Sequence, residues 1–252
     1  PVRLSPRARP TFLGPAIATL GAYLGVQGVF GAGVGAIVGA RFGLQAAIAN
    51  EPFRAIDAQL AALAPSLAIS TFLSSGAVLA LVLLWTRGVT ARISRETLGI
   101  VRAPRLLVLF GLLSGLVVAL AALHVSPLLA PEPDPEALGP VAGALARPGA
   151  ARLVFALFAV CLAPVVEEVL FRGVLFAALS ERFRPAWTVA IVTTVFLGVH
   201  VTQYWRYWPA LVFVLVLGVL LGVARLRSGS IAPGIAAHLS YNLVAVAFLT
   251  AS

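Results

Sequence analysis

The chain holds few carboxylates, and two of them are adjacent in one of its most apolar stretches, Val165-Val-Glu167-Glu168-Val-Leu-Phe-Arg172. An ionised side chain at the centre of a spanning helix costs about 2.5–3.5 kcal/mol, so three together require compensation or a use. On a helix, Glu168 and Arg172 stand four apart, about 40° around the axis, with the acid on the N-terminal side, and can pair directly. Glu167 is turned about 100° from Glu168 and faces a different neighbour. The pattern divides labour: Glu168 and Arg172 brace each other, and Glu167 is left for chemistry. The competing structural reading makes all three an ion network that holds helices together.

Two further polar clusters follow in apolar surroundings. One is Phe196-Leu-Gly-Val-His200; the other is His238-Leu-Ser-Tyr-Asn242, whose imidazole and carboxamide share a helix face. Counted from expected helix ends at Ser180, Trp187 and Ser230, Glu168 lies twelve residues deep, His200 thirteen and Asn242 twelve, with Arg172 and His238 each eight deep. At about 1.5 Å per residue, three helices present polar groups near one level of the membrane. A carboxylate and an imidazole can together take a proton from water, and His and Asn side chains can donate to a developing oxyanion. That set suits direct hydrolysis of an amide by water. Ser240 falls on the far side of its helix, and no nucleophilic serine or cysteine is required. Of the remaining ionisable groups, His124 reads as an interface residue and Cys161 as a small packed hydrophobe.

The elements that must position these groups are membrane helices. Of 252 residues, 60% are hydrophobic and 11% charged, and apolar runs reach the length that crosses a hydrocarbon core. The alternation of a membrane β-barrel is absent. Seven spans are expected, near 11–40, 66–86, 105–125, 152–179, 187–204, 208–225 and 230–250. The amphipathic stretch 44–64 is an interfacial helix or an eighth span. The first run is too long for a signal-peptide core and reads as a retained span. Within it, Gly31, Gly35 and Gly39 have the spacing of close helix contact. The chain, 1–252, reads as one all-α polytopic transmembrane bundle of 7–8 spans around a polar intramembrane cavity, with the chemistry in 150–250.

The formal charge of +9 comes entirely from arginine, since lysine is absent, and does not signal nucleic acid. With the N-terminus cytoplasmic, Arg3, Arg7, Arg9, Arg87, Arg92, Arg95, Arg102, Arg105, Arg182, Arg184, Arg225 and Arg227 fall inside. Only Arg41, Arg54, Arg147, Arg152 and Arg206 fall outside, together with the acidic stretch Pro131–Glu136. Positive-inside asymmetry therefore favours N-in and C-out. The composition points to a GC-rich bacterial genome and thus to an inner-membrane location. The cluster Tyr204-Trp-Arg-Tyr-Trp208 reads as an interfacial aromatic anchor, with gating of substrate access as the alternative.

In its three motifs the chain resembles the CPBP family of intramembrane glutamate proteases, which includes CAAX prenyl endopeptidases and bacteriocin-processing proteins. The family pattern E-E-x-x-x-R, F-x-x-x-H, H-x-x-x-N corresponds to Glu167-Glu168…Arg172, Phe196…His200 and His238…Asn242. The resemblance covers roughly 150–250. It implies that Glu167 and His200 activate water, that His238 and Asn242 stabilise the oxyanion, and that Glu168 and Arg172 shape the site, with Phe196 in support. It also implies a bundle of usually eight spans around a conical cavity open toward the cytoplasmic leaflet, a membrane-associated peptide or protein substrate, and no cofactor. Three alternatives stay open: a Zn²⁺-dependent membrane hydrolase using the Glu and His side chains, a proton-coupled transporter, and a non-catalytic membrane scaffold.

Overall fold

The computed structural model describes residues 12–26, 72–85, 93–131 and 149–251 except 205, with isolated positions at 29, 40, 142, 145 and 146. All secondary structure among the described residues is helical. The 44–64 stretch and the Gly31–Gly39 spacing lie outside the described residues.

The helices are α1 (Leu13–Val26), α2 (Phe72–Trp85), α3 (Arg105–Leu129), α4 (150–180), α5 (Pro185–Tyr204), α6 (Trp208–Ser228) and α7 (Ala232–Ala251). Four of them, α3, α4, α6 and α7, are long and apolar enough to cross a membrane; α1, α2 and α5 are apolar but present shorter qualifying stretches. Leu106, Phe110, Val117 and Leu128 on α3 are more than three-fifths exposed. Such a face suits hydrocarbon and would be an aggregation liability in water. Cys161 is likewise exposed, so it looks outward from the bundle and does not pack inside it as its apolar setting suggested.

Small residues set the closest contact. On α3, Gly111 and Gly115 are four apart, and a Cβ at either would run into the backbone of α7, at Pro233 and at Ala237. The two helices therefore lie against each other backbone to backbone and run in the same direction, as small-xxx-small spacing permits. The hydroxyl of Ser240 fills the same seam, 2.8 Å from the Leu112 carbonyl and 3.0 Å from that of Ala237. Its role is to join helices, in keeping with its exclusion as a nucleophile.

α4 is not a regular helix. It opens into π turns over Phe158–Leu162 and Glu168–Leu175, with α turns between and after them. Pro164 lies just past the first wide turn. Beyond Glu168 the helix is wrapped on all sides, and every residue from Glu168 to Leu179 is buried. Val166, Leu170, Phe171 and Leu175 pack with Val192 and Phe196 of α5 and Val214 of α6. Val174 and Ala178 pack with Phe12, Trp85, Leu98 and Ile231.

This second cluster gathers one rim of the bundle. The Phe12 amide donates to Glu181 Oε2 at 3.3 Å, the Ser230 hydroxyl donates to the Val101 carbonyl at 2.6 Å, and the Ile231 amide donates to the Gly99 carbonyl at 2.9 Å. Gly99 holds φ +70°, and a Cβ there would sit 2.6 Å from Arg225 Nε, so glycine is required on both counts. The starts of α1, α3, α5 and α7 and the ends of α2, α4 and α6 meet at this rim. That is the alternation expected of a chain threaded back and forth.

The α3–α7 seam makes a clear expectation. Gly115→Val should lower Tm in detergent by many degrees or prevent folding. Gly21→Ala, where a Cβ meets nothing within 4 Å, should shift it by no more than a degree or two.

Candidate active site

The anchor of the site is an ion pair wholly removed from solvent. Arg172 Nη1 donates to Glu168 Oε1 at 2.9 Å, and both side chains have zero exposure. Arg172 Nη2 donates to the Gly218 carbonyl at 3.1 Å, and the guanidinium lies over the Phe196 ring, 4.3 Å from its centroid. The planar fork thus serves a carboxylate, a backbone carbonyl and an aromatic face at once, which an ammonium could not do. From below, Arg225 Nε donates to the Arg172 carbonyl at 3.0 Å, and its Nη2 donates to the Thr97 carbonyl at 3.0 Å. Arg225 therefore ties the segment before α3 to the π turn beneath the site. In the sequence it counted only as an orientation signal.

The second carboxylate faces two imidazoles. Glu167 Oε2 lies 3.9 Å from His200 Nε2 and 3.7 Å from His238 Nε2. The Glu167 side chain is 20% exposed, His200 16% and His238 4%, so the group is mostly enclosed and Glu167 is its most accessible member. His200 Nδ1 lies 2.7 Å from the carbonyl of Phe196, one turn earlier. A carbonyl only accepts, so Nδ1 carries the proton and Nε2 of the neutral ring is the basic nitrogen turned to Glu167.

The structure corrects one inference from helix geometry. The two glutamates were expected to serve separate neighbours, yet His238 meets both, with Nδ1 3.5 Å from Glu168 Oε1 and Nε2 3.7 Å from Glu167 Oε2. Two causes combine. An imidazole presents nitrogens on opposite edges, and the π winding that begins at Glu168 narrows the angle between successive side chains. His238 is accordingly a bridge between the buried brace and the open carboxylate.

Asn242 is held by a consequence of Pro164. In the wide turn the Ala163 amide bonds the carbonyl five residues back, on Phe158. The next such bond, to Ala159, would need an N–H at position 164, and proline has none. Asn242 Nδ2 donates to the Ala159 carbonyl at 2.8 Å, filling the gap and joining α7 to α4. One N–H of the carboxamide is thereby committed, and the other remains.

Glu167, Phe196, His200, His238 and Asn242 line one cavity of about 420 Å³, within the size range of small-molecule sites. Its upper walls are apolar, from Ala119, Leu123, Leu145, Val246 and Phe248 among others. The aromatic cluster at 204–208 divides: Trp208 is half exposed, as an interfacial anchor would be, whereas Tyr204 and Tyr207 line the cavity. Tyr204 stacks in parallel with His200 at 6.4 Å, and its hydroxyl accepts from Gln203 Nε2 at 3.0 Å. Tyr241, adjacent to Asn242, also lines the space. Helical spacing, four residues on from His200 and three on from His238, could have flagged Tyr204 and Tyr241. His124 is exposed, its ring bonded to the Leu120 carbonyl at 2.8 Å, and stands apart from the group. Among the described residues no three His, Cys, Asp or Glu side chains converge as a metal site.

Residues 149–244 match the family model described as type II CAAX prenyl endopeptidase Rce1-like, consistent with the CPBP and CAAX protease resemblance carried by the three motifs. The matched stretch contains Glu167, Glu168, Arg172, Phe196, His200, His238 and Asn242. No curated protein and no solved structure matches the chain.

Two substitutions measure the supports. Arg172→Ala leaves Glu168 buried without its cation and should cost about 3–5 kcal/mol, seen as failure to fold or a large fall in Tm, with Arg172→Lys recovering only part of it. Asn242→Ala should cost about 1 kcal/mol in stability, a few degrees of Tm in detergent, because it frees the Ala159 carbonyl. A Tm unchanged by Asn242→Ala would show that the α4–α7 bond is idle.

Proposed function

We propose that this protein is an intramembrane endopeptidase in which Glu167 and His200 activate the hydrolytic water and His238, with Asn242, stabilises the tetrahedral oxygen. The observation that carries the reading is the meeting of Glu167 with both imidazoles at the foot of one cavity. The family match supports a peptidase of membrane-associated peptide or protein substrates.

Glu167 Oε2 and the basic Nε2 of His200 are 3.9 Å apart. A water hydrogen-bonded to both at about 2.8 Å subtends roughly 90° between them, an unstrained position. Its proton passes to this pair as its oxygen bonds the scissile carbonyl carbon. The carbonyl oxygen, now negative, takes a hydrogen bond from His238 Nε2–H and from the uncommitted N–H of Asn242. Collapse of the intermediate breaks the C–N bond, and the proton held by Glu167 and His200 is returned to the leaving amine. The apolar walls lower the dielectric around the developing charge and strengthen each of these interactions.

Phe196 serves in three ways. Its carbonyl fixes the His200 tautomer, its ring packs edge-on against Phe171, and its face receives Arg172. It is a positioning residue.

Glu167→Gln should reduce cleavage of a farnesylated CAAX peptide in proteoliposomes by at least about 10²-fold, with Tm within a few degrees of wild type. His200→Ala should do the same. If that peptide is not a substrate, comparison of protein termini in membranes expressing wild type or Glu167→Gln supplies the readout: termini present only with wild type are the products. Undiminished cleavage by the Glu167→Gln protein removes the glutamate from the mechanism.

A further inference from the structure

A peptide bond cannot be cut in this cavity without its neighbours coming too. A segment wound as a helix has its N–H and C=O groups paired within itself and does not offer a carbonyl to attacking water. Opened to an extended form, the amides on either side of the cut lose those partners. In surroundings of low polarity each one left unpaired costs several kcal/mol. The mechanism above engages the scissile carbonyl alone, so the flanking amides need other partners.

Besides the residues of that mechanism, the described lining holds five polar side chains: Ser126, Gln203, Tyr204, Tyr207 and Tyr241. Ser126 and Tyr207 are each less than a tenth exposed, whereas Gln203, Tyr204 and Tyr241 keep accessible surface. Tyr204 stands one turn beyond His200 on α5, with its ring parallel to the imidazole. Tyr241 stands three residues beyond His238 on α7 and directly before Asn242. The Tyr204 hydroxyl lies within Coulombic reach of Glu167, and the Tyr241 hydroxyl within that of Tyr204. Two helices thus bring hydroxyls to the same side of the cavity as the water-activating carboxylate.

Their rings are placed by apolar packing. Tyr204 packs with the cluster of Val166, Phe196 and Val214, and Tyr241 with Leu217, Leu221 and Ala237. The hydroxyls are therefore not what holds the rings. The Tyr204 oxygen accepts from Gln203 Nε2 at 3.0 Å, which leaves its own proton for a second partner. A tyrosine hydroxyl both donates and accepts, so Tyr241 can serve an amide N–H or a carbonyl.

On the peptidase reading, we propose that Tyr204 and Tyr241 bind the substrate main chain beside the scissile bond. Tyr204 donates to a flanking carbonyl, and Tyr241 pairs with a nearby amide. Main-chain groups are common to every sequence, so this contact selects by conformation: an unwound segment gains both bonds, and a helical one gains neither.

Removal of one oxygen at a time tests the assignment. Tyr204→Phe and Tyr241→Phe keep the rings and their packing, and Tm should stay within about two degrees of wild type. The substrate is the farnesylated CAAX peptide in proteoliposomes, or a peptide spanning a terminus made only by wild type. Each variant should lower kcat/KM by about tenfold, the loss of one hydrogen bond. Peptides with single amides near the cut replaced by esters then separate contact from fold, because an ester lacks the N–H and its carbonyl accepts weakly. At one position the replacement should cost wild type about tenfold and the matching Phe variant less than about twofold. Kinetics unchanged in both Phe variants while Glu167→Gln is inactive overturn the tyrosine assignment and leave the peptidase standing. So does a fall in activity in which every ester costs variant and wild type alike, the mark of a purely structural role. The tyrosines lie on different helices, so a loss of Tm in one variant leaves the other to decide. Cleavage that persists in Glu167→Gln, or that wild type lacks, removes the peptidase reading and the subsite with it.

Discussion

The contact on which the site depends is the Glu168–Arg172 pair at zero exposure. A buried pair is weak as a source of stability, because removing two charges from water costs about as much as their attraction returns. Its value here is positional. Arg172 can satisfy Glu168 only while Gly218 offers its carbonyl, Phe196 its ring and Arg225 its hold on the Arg172 carbonyl. α4, α5 and α6 are thereby fixed relative to one another at the depth of the proposed chemistry. Gly234 completes the fit from α7, since a Cβ there would stand 2.5 Å from Glu168 Oε2.

That constraint extends upward by a single side chain. His238 touches Glu168 with one nitrogen and Glu167 with the other, so the rigid brace orients the ring that faces the cavity. On the opposite wall His200 is oriented by its own helix through the Phe196 carbonyl. The open carboxylate is thus the only acidic group of the set that reaches the cavity, while His200 and Asn242 are each held by a backbone carbonyl and His238 by Glu168. Preorganisation of this kind places donors before charge appears, which is where electrostatic catalysis gains most.

Much of this was legible in the letters. Four-residue spacing is enough to pair Glu168 with Arg172, and counting from helix ends is enough to bring Glu168, His200 and Asn242 to one level with Arg172 and His238 a turn below, because both arguments need only the rise and turn of a helix. The charge asymmetry likewise needs only positions. What escaped depended on departures from regular winding or on contacts between distant segments. The π turns brought both glutamates to one imidazole. Pro164 was visible, but the carbonyl that its missing N–H would strand, and the choice of Asn242 to fill it, require the register of the wide turn. Arg225 looked like one more cytoplasmic arginine, since nothing in its neighbours indicates that it turns inward. Gly111 and Gly115 had the same spacing as the glycines singled out near the N-terminus, and only the partner backbone distinguishes a packing seam from a coincidence.

The wide turn at Phe158–Leu162 also limits what a matching motif is worth. Each π turn accommodates one residue more than an α turn would, so the two halves of α4 are joined at an angular offset that regular winding cannot supply. Deleting one residue between 158 and 162 would leave hydropathy, length and all three signatures nearly untouched. It would swing the entering half of the helix by about 100° against the half that carries the glutamates. A relative shortened there would keep every letter of the signature while losing the wall that Phe158 and Ala159 contribute and the carbonyl that secures Asn242. Indels ahead of the first motif are therefore a sharper guide to a working site than the signature itself.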